Sequence, residues 1–196
     1  MLNFGNKKVI LGSASPRRRE LMKLMDIPFE CKVADYTEHF YKHDAPEATA
    51  LEMAKGKNKA LLNNCSDNDI IVTADTIVSI NNCILGKPKD VVEAKEMLKT
   101  LQGNKHTVVT GVCISDKKKS DCFSVSTDVW IKHLDDAEID YYLSKYQPLD
   151  KAGAYGIQEW IGVIGIEKIA GPYFNVMGLP TQKLYEHLKS FLIDEE

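Results

Sequence analysis

A short apolar run, Val9-Ile10-Leu11, passes directly into Gly12-Ser13-Ala14-Ser15-Pro16-Arg17-Arg18-Arg19, and this junction limits the fold more than any other stretch. Three apolar residues bounded by small ones read as a buried strand. The glycine and serines that follow let backbone approach a ligand closely. Ser15 is placed to cap a helix whose first position is Pro16, where a missing N–H costs nothing. Leu21, Leu24 and Met25 then offer an inward face at helical spacing. Strand, small-residue turn and helix N-terminus form a βα unit, and an α/β class is expected.

The electrostatics of this unit are unusual. A helix N-terminus carries about half a positive charge, yet three arginines crowd its first turn. Either an anion sits among guanidinium and backbone N–H groups, or the turn is a solvated basic surface. No Walker P-loop spacing is present. The 196-residue chain has a net charge of −3, so no nucleic-acid partner held by overall charge is expected. Any polyanion affinity must be local. Five cysteines without C-x-x-C spacing, and no leader-like segment, point to a reducing cytoplasm and no zinc cluster. No apolar run reaches bilayer length, so no membrane association is expected. No linker or repeat divides residues 1–196, and one domain is expected.

Further along, Glu38, His39 and His43 lie within a polar loop; they are either metal ligands or loop surface, with no third partner at ligand spacing. Asp44-Ala45-Pro46 opens a second helix. At about 100° per residue, Ala50, Ala54 and Leu61 share one stripe with Lys57, while Lys55 and Lys59 point the other way. Lys57 must snorkel out or meet an anion. Residues 69–80, DIIVTADTIVSI, are the most strand-like in the chain. Asp75 interrupts them, and a carboxylate there costs several kcal/mol unless paired or solvated by a cleft. It marks either a site or a capped strand end. After a short strand at 84–85, Lys87 is held extended by Pro88. Asp90 and Asp135, each three residues before a glutamate, open two more helices. Long strands are expected at 106–115 and 123–133, with Lys117–Lys119 at a solvated hairpin tip. Tyr141, Tyr142 and Tyr146 either stack on a base or pack in the core. Residues 162–170 read as a strand pair, 171–172 as a turn and 180–193 as a final helix.

These motifs, in this order, resemble the Maf family of nucleotide pyrophosphatases. The likeness is carried by Ser13-Ala14-Ser15-Pro16-Arg17-Arg18, Ala54-x-x-Lys57, Ala74-Asp75-Thr76, Gly86-Lys87-Pro88, the run DKAGAYGIQ at 150–158, and Val176-Met177-Gly178-Leu179-Pro180. Glu159-Trp160 departs from it, since many members continue there with glycine. The resemblance implies a mixed sheet flanked by helices, two lobes around a nucleotide cleft, as in inosine-triphosphatase-like folds. It implies hydrolysis of a nucleoside triphosphate to the monophosphate and pyrophosphate. Asp75 is the implied catalytic base, with Ser13, Arg17, Arg18, Glu38, Lys57 and Lys87 on the substrate. Arg17, Thr76 and Gln158 are the implied specificity residues, and Ala74-Asp75-Thr76 indicates dTTP and UTP rather than 7-methyl-GTP. An aspartate titrates near 3.9 and is a poor base for bulk water. A divalent cation is therefore expected, Mg²⁺ foremost and Mn²⁺ or Co²⁺ as alternatives, held by Glu38, Asp75 and substrate oxygens. A homodimer stays open, as does a non-catalytic nucleotide-binding role in cell division.

Overall fold

The computed structural model describes residues 2–37 and 45–192. Strand β1 (Lys8–Leu11) leads into α1 (Pro16–Leu24), with Ser15 at its N-cap and Pro16 in its first turn. Strand β2 (Phe29–Cys31) pairs parallel to β1. Helix α2 (Pro46–Leu62) then crosses back to β3 (Asp69–Ile80), which pairs parallel to the other edge of β1. A right-handed crossover in each direction puts the two helices on opposite faces of the sheet. The cores agree. Ile70, Val72, Ala74, Val78 and Ile80 of β3 share the main core with Leu21 and Met22 of α1, whereas Ile77 packs with Ala50 of α2. The odd-numbered face of β3 therefore looks at α2, and Asp75 lies on it.

Strand β4 (Cys83–Leu85) returns antiparallel along the far end of β3. Helix α3 (Val91–Leu101) follows, capped by Asp90. Strands β5 (Lys105–Ser115) and β6 (Ser120–Ile131) form a long hairpin, and β7 (Ile166–Ala170) closes the mixed sheet, in the order β2-β1-β3-β5-β6-β7. Helix α4 (Asp136–Tyr146) carries a complete capping box between Asp135 and Glu138. Its Tyr142 joins the main core with Leu98 of α3 and Leu184 of α7 (Thr181–Leu188).

Along one edge β3 pairs with β5. Along the other, β1 reaches only Val72 and β4 begins only at Val78. Residues 73–77 thus face a gap between two strands, and buried backbone there needs other partners. A parallel strand that stops beside a longer neighbour leaves a crevice beyond its carboxyl end.

Several sequence expectations change. Leu24 is exposed and Met22 takes its place, because the buried stripe of α1 runs through Leu21 and Met22. The expected strand pair at 162–170 is a helix, α5 (Trp160–Gly165), followed by β7. A Cβ on Gly162 would sit 1.8 Å from Ile157 O, so glycine lets the chain coil tightly here although its apolar composition suits a strand. A short helix, α6 (Tyr173–Met177), precedes the left-handed Gly178. Helix α7 ends at Leu188, with a 3-10 turn (Lys189–Phe191) beyond it. Cys113 stands opposite Cys122 in the β5–β6 ladder, and their sulfurs lie against each other. The cysteine count gives no sign of this pair; only the strand register reveals it.

Candidate active site

The gap beside β3 opens into a cleft of about 380 Å³, within the range of small-molecule sites. One wall stands on regular elements. Gly12 is bound to β3 through its N–H and Val72 O at 2.7 Å. A side chain there would strike Leu61 and Thr73. Ser13 is buried, and its hydroxyl accepts Ser15 N–H at 3.1 Å. Helix α2 turns Lys57 into the cleft, where its ammonium forms an ion pair with the Asp75 carboxylate. The side chains are only 14% and 9% exposed, so each charge is stabilised chiefly by protein partners rather than bulk water. Lys55 and Lys59 are exposed, which agrees with the helical register read from sequence.

Arg17 and Arg18, neighbours in sequence, do different work. Arg17 lines the cleft and pairs with Asp150 at 2.9 Å. Arg18 donates from Nε to Gly178 O at 2.7 Å, and from its terminal nitrogens to Ala74 O at 2.8 Å, the Thr76 hydroxyl at 3.0 Å and the Ser13 hydroxyl at 3.4 Å. It satisfies backbone that the gap leaves without a strand. The same guanidinium ties α1, β3 and the turn after α6 together. Arg19 is exposed, 3.3 Å from Ala14 O. Thr76 shares a 2.9 Å hydrogen bond with the Thr110 hydroxyl, its partner in the ladder.

The other wall is the run 150–158, which contains a 3-10 turn (Ala152–Ala154). Gly153 N–H donates to Gly86 O at 3.1 Å, fixing this wall to the segment that carries Lys87, also on the cleft. Lys151 lines the cleft too, buried between Asp150 at 2.8 Å and Glu159 at 3.1 Å. Burial opposes ionisation of Asp150, but hydrogen bonds from Lys151 and Arg17 prevail and hold its carboxyl below the usual range. Tyr155 presents an apolar surface with Val78, Val108 and Val176. Its hydroxyl is 2.7 Å from His106 Nε2. Gln158 is exposed on the cleft, and its amide has no hydrogen-bond partner among the described residues.

Of the residues singled out from sequence, Ser13, Arg17, Arg18, Lys57, Asp75, Thr76, Lys87 and Gln158 all line this one cleft. Glu38, His39, His43 and Asp44 lie outside the described residues. Sequence reasoning missed Lys151, whose signal was a lone cation opening a glycine-spaced run. Tyr141, Tyr142 and Tyr146 do not line the cleft. Tyr141 stacks edge-on with Trp160, and Tyr142 lies against Tyr146. Among the described residues no group of three or more His, Cys, Asp or Glu side chains converges as a metal cage. No helix among them is long and apolar enough to cross a membrane.

The family model for Maf-like proteins matches residues 8–191. The chain belongs to the Maf family. It is 48% identical to a dTTP/UTP pyrophosphatase of Porphyromonas gingivalis, over 96% of each chain. A Parabacteroides distasonis protein of the same name is 47% identical, over 96% of this chain and 98% of its own. Among solved structures, the Staphylococcus aureus Ham1 protein is a loose likeness. Its TM-score is 0.41 at 14% identity, covering 64% of this chain and 72% of that one. In this Maf chain the departure at Glu159 does not enter the cleft; its carboxylate backs the wall from behind.

Proposed function

We propose that the cleft binds dTTP or UTP and hydrolyses the bond between the α- and β-phosphates, releasing the monophosphate and pyrophosphate. One observation carries this reading: an aspartate–lysine pair, Asp75–Lys57, buried where one edge of β3 lacks a strand, in a cleft that also presents Arg17, Lys87 and Lys151. The names and near-full-length identity of the relatives support it.

A triphosphate brings about four negative charges, and converging cations offset them. Arg17, Lys57 and Lys87 take phosphate oxygens, while the Ser13 turn at the start of α1 offers N–H groups to one phosphate. Lys57 is already beside Asp75, so a phosphate drawn to Lys57 sits against the carboxylate. Asp75 orients a water and takes its proton as the oxygen attacks the α-phosphorus. The bond to the bridging oxygen breaks, and pyrophosphate leaves in line with the electron pair. Arg18 acts through position, holding Ser13, Ala74 and Thr76 in place.

A magnesium ion suits this donor set better than a metal needing an all-protein cage, because Mg²⁺ is commonly held by one or two carboxylates and substrate phosphates. Asp75 is the carboxylate at hand, with Glu38 as the second. When bound, the cation supplies charge neutralisation and makes a nearby water more acidic. Mn²⁺ and Co²⁺ suit the same oxygens less selectively.

At the other wall the Gln158 amide offers a carbonyl and an NH₂, which match N3–H and O4 of uracil or thymine. Cytosine reverses that pattern. This reading implies a cytoplasmic reaction, where nucleotide pools lie. The test is pyrophosphate release from a nucleotide panel with and without Mg²⁺. UTP and dTTP should exceed CTP and GTP. Release from none would overturn the enzymatic reading, and preference for 7-methyl-GTP would overturn the pyrimidine assignment.

A further inference from the structure

The chain at 156–159 folds back on itself, with Glu159 N–H donating to Gly156 O at 3.0 Å. The Glu159 side chain closes this turn from outside. Its Oε2 accepts the Tyr142 hydroxyl, and that hydroxyl accepts Gly156 N–H at 3.1 Å. Its Oε1 lies 3.1 Å from Lys151 Nζ. Lys151 in turn meets Asp150 Oδ1 at 2.8 Å, and Asp150 Oδ2 meets Arg17 Nη1 at 2.9 Å. The packing is tight: a Cβ on Gly156 would lie 2.7 Å from Glu159 Cδ. Burial, reinforced by the Glu159 carboxylate, pushes the Tyr142 hydroxyl pKa up, so it remains a donor at neutral pH. Neither Glu159 nor Tyr142 reaches the cleft.

This chain of contacts joins two groups that come from distant parts of the sequence and face the same ligand space, Arg17 and Gln158. We propose that Glu159 and Tyr142 are positioning residues that set nucleobase specificity, by holding the 156–158 turn and Arg17 in one frame through Lys151 and Asp150. The inference rests on the reading of Gln158 as the base-pairing amide. Discrimination between uracil and cytosine depends on where that amide sits, and a donor displaced by about 1 Å loses most of its value. Removing the Glu159 carboxylate leaves the Tyr142 hydroxyl without its acceptor and Lys151 with Asp150 alone, in a setting where unsatisfied polar groups are costly.

The experiment compares Glu159→Ala, Glu159→Gln and Tyr142→Phe in the full chain, measuring kcat and KM for UTP and CTP alongside Tm. Glu159→Ala and Tyr142→Phe should each cut the UTP-to-CTP ratio of kcat/KM about tenfold, the scale of a lost buried hydrogen bond to a charged group. KM for UTP should rise more than kcat falls. Glu159→Gln, which still accepts the Tyr142 hydroxyl, should recover part of the ratio. A Tm loss with an unchanged ratio would overturn the inference. Amide exchange at Gly156 reads the frame without activity and should quicken in Tyr142→Phe. Should the intact protein show no preference for UTP over CTP, the functional reading fails and this exchange alone judges the frame. Unchanged Gly156 protection would then overturn it.

Discussion

The two walls of the cleft are built by different means. The wall proposed for phosphate stands mostly on β1, the first turn of α1, one face of α2 and the middle of β3, where regular backbone dictates side-chain direction, with Ser13 and Lys87 on irregular chain beside them. The wall proposed for the base is mostly irregular chain, and ion pairs and tyrosine hydroxyls decide where its groups lie. Regular elements suit the wall where, on the proposed reading, charge is neutralised and water attacks, because small displacements there cost rate. Irregular chain suits the wall proposed to read a base, because a turn can be re-aimed without disturbing the sheet.

The largest effect should come from the phosphate wall. Asp75→Asn keeps the volume and removes the basicity, and kcat should fall about 10²-fold or more, the scale of a lost general base. Binding of UTP should survive, measured by titration calorimetry. A near-normal rate would remove Asp75 from the chemistry. Next, Lys57→Ala and Lys87→Ala should each lower kcat/KM by about ten- to a hundredfold, since contacts to charged phosphate are worth ~1.5–3 kcal/mol. Lys55→Ala and Lys59→Ala, on the exposed side of α2, should change it little. Equal damage from Lys55 and Lys57 would mean that α2 does not present its faces as described.

The base wall should show its character in selectivity. Gln158→Ala should shrink the UTP-to-CTP ratio about tenfold while sparing most of the best rate, and loss of rate without loss of ratio would make the two walls alike. A smaller effect concerns stability. Burial lowers the pKa of His106 to about 4 from 6.5, with the Asp128 carboxylate opposing. The unfolded chain then binds the extra proton between those values, so stability falls as pH drops through that window. From pH 6.5 to 5.5 the loss should be ~1 kcal/mol, seen in urea midpoints. His106→Gln should flatten that slope; an unchanged slope would place the titration elsewhere.

The same contrast governs what the sequence reveals. The bounds of β3 match the expected 69–80, and Ser15, Asp90 and Asp135 all cap helices as read, because these signals are local. Lys57 was legible because helical periodicity alone puts it on the Ala50–Ala54 stripe. Arg18 was only half legible. Its place in the first turn follows from Pro16, but Ala74, Thr76 and Gly178, which it binds, lie 56 to 160 residues away. Lys151 and Tyr142 were illegible as site elements for the same reason, since their value comes from Glu159 and Gly156 across irregular chain. The helix at Trp160–Gly165 hid behind β-branched composition, and only the contact of Gly162 with Ile157 explains it.

The central claim is attack of water on the α-phosphorus, and hydrolysis in H₂¹⁸O tests it most directly. UTP is turned over to completion by the full chain with Mg²⁺, and both products are weighed by mass spectrometry. The account predicts one ¹⁸O in UMP and none in pyrophosphate. Label in pyrophosphate, or release of inorganic phosphate in its place, would contradict it.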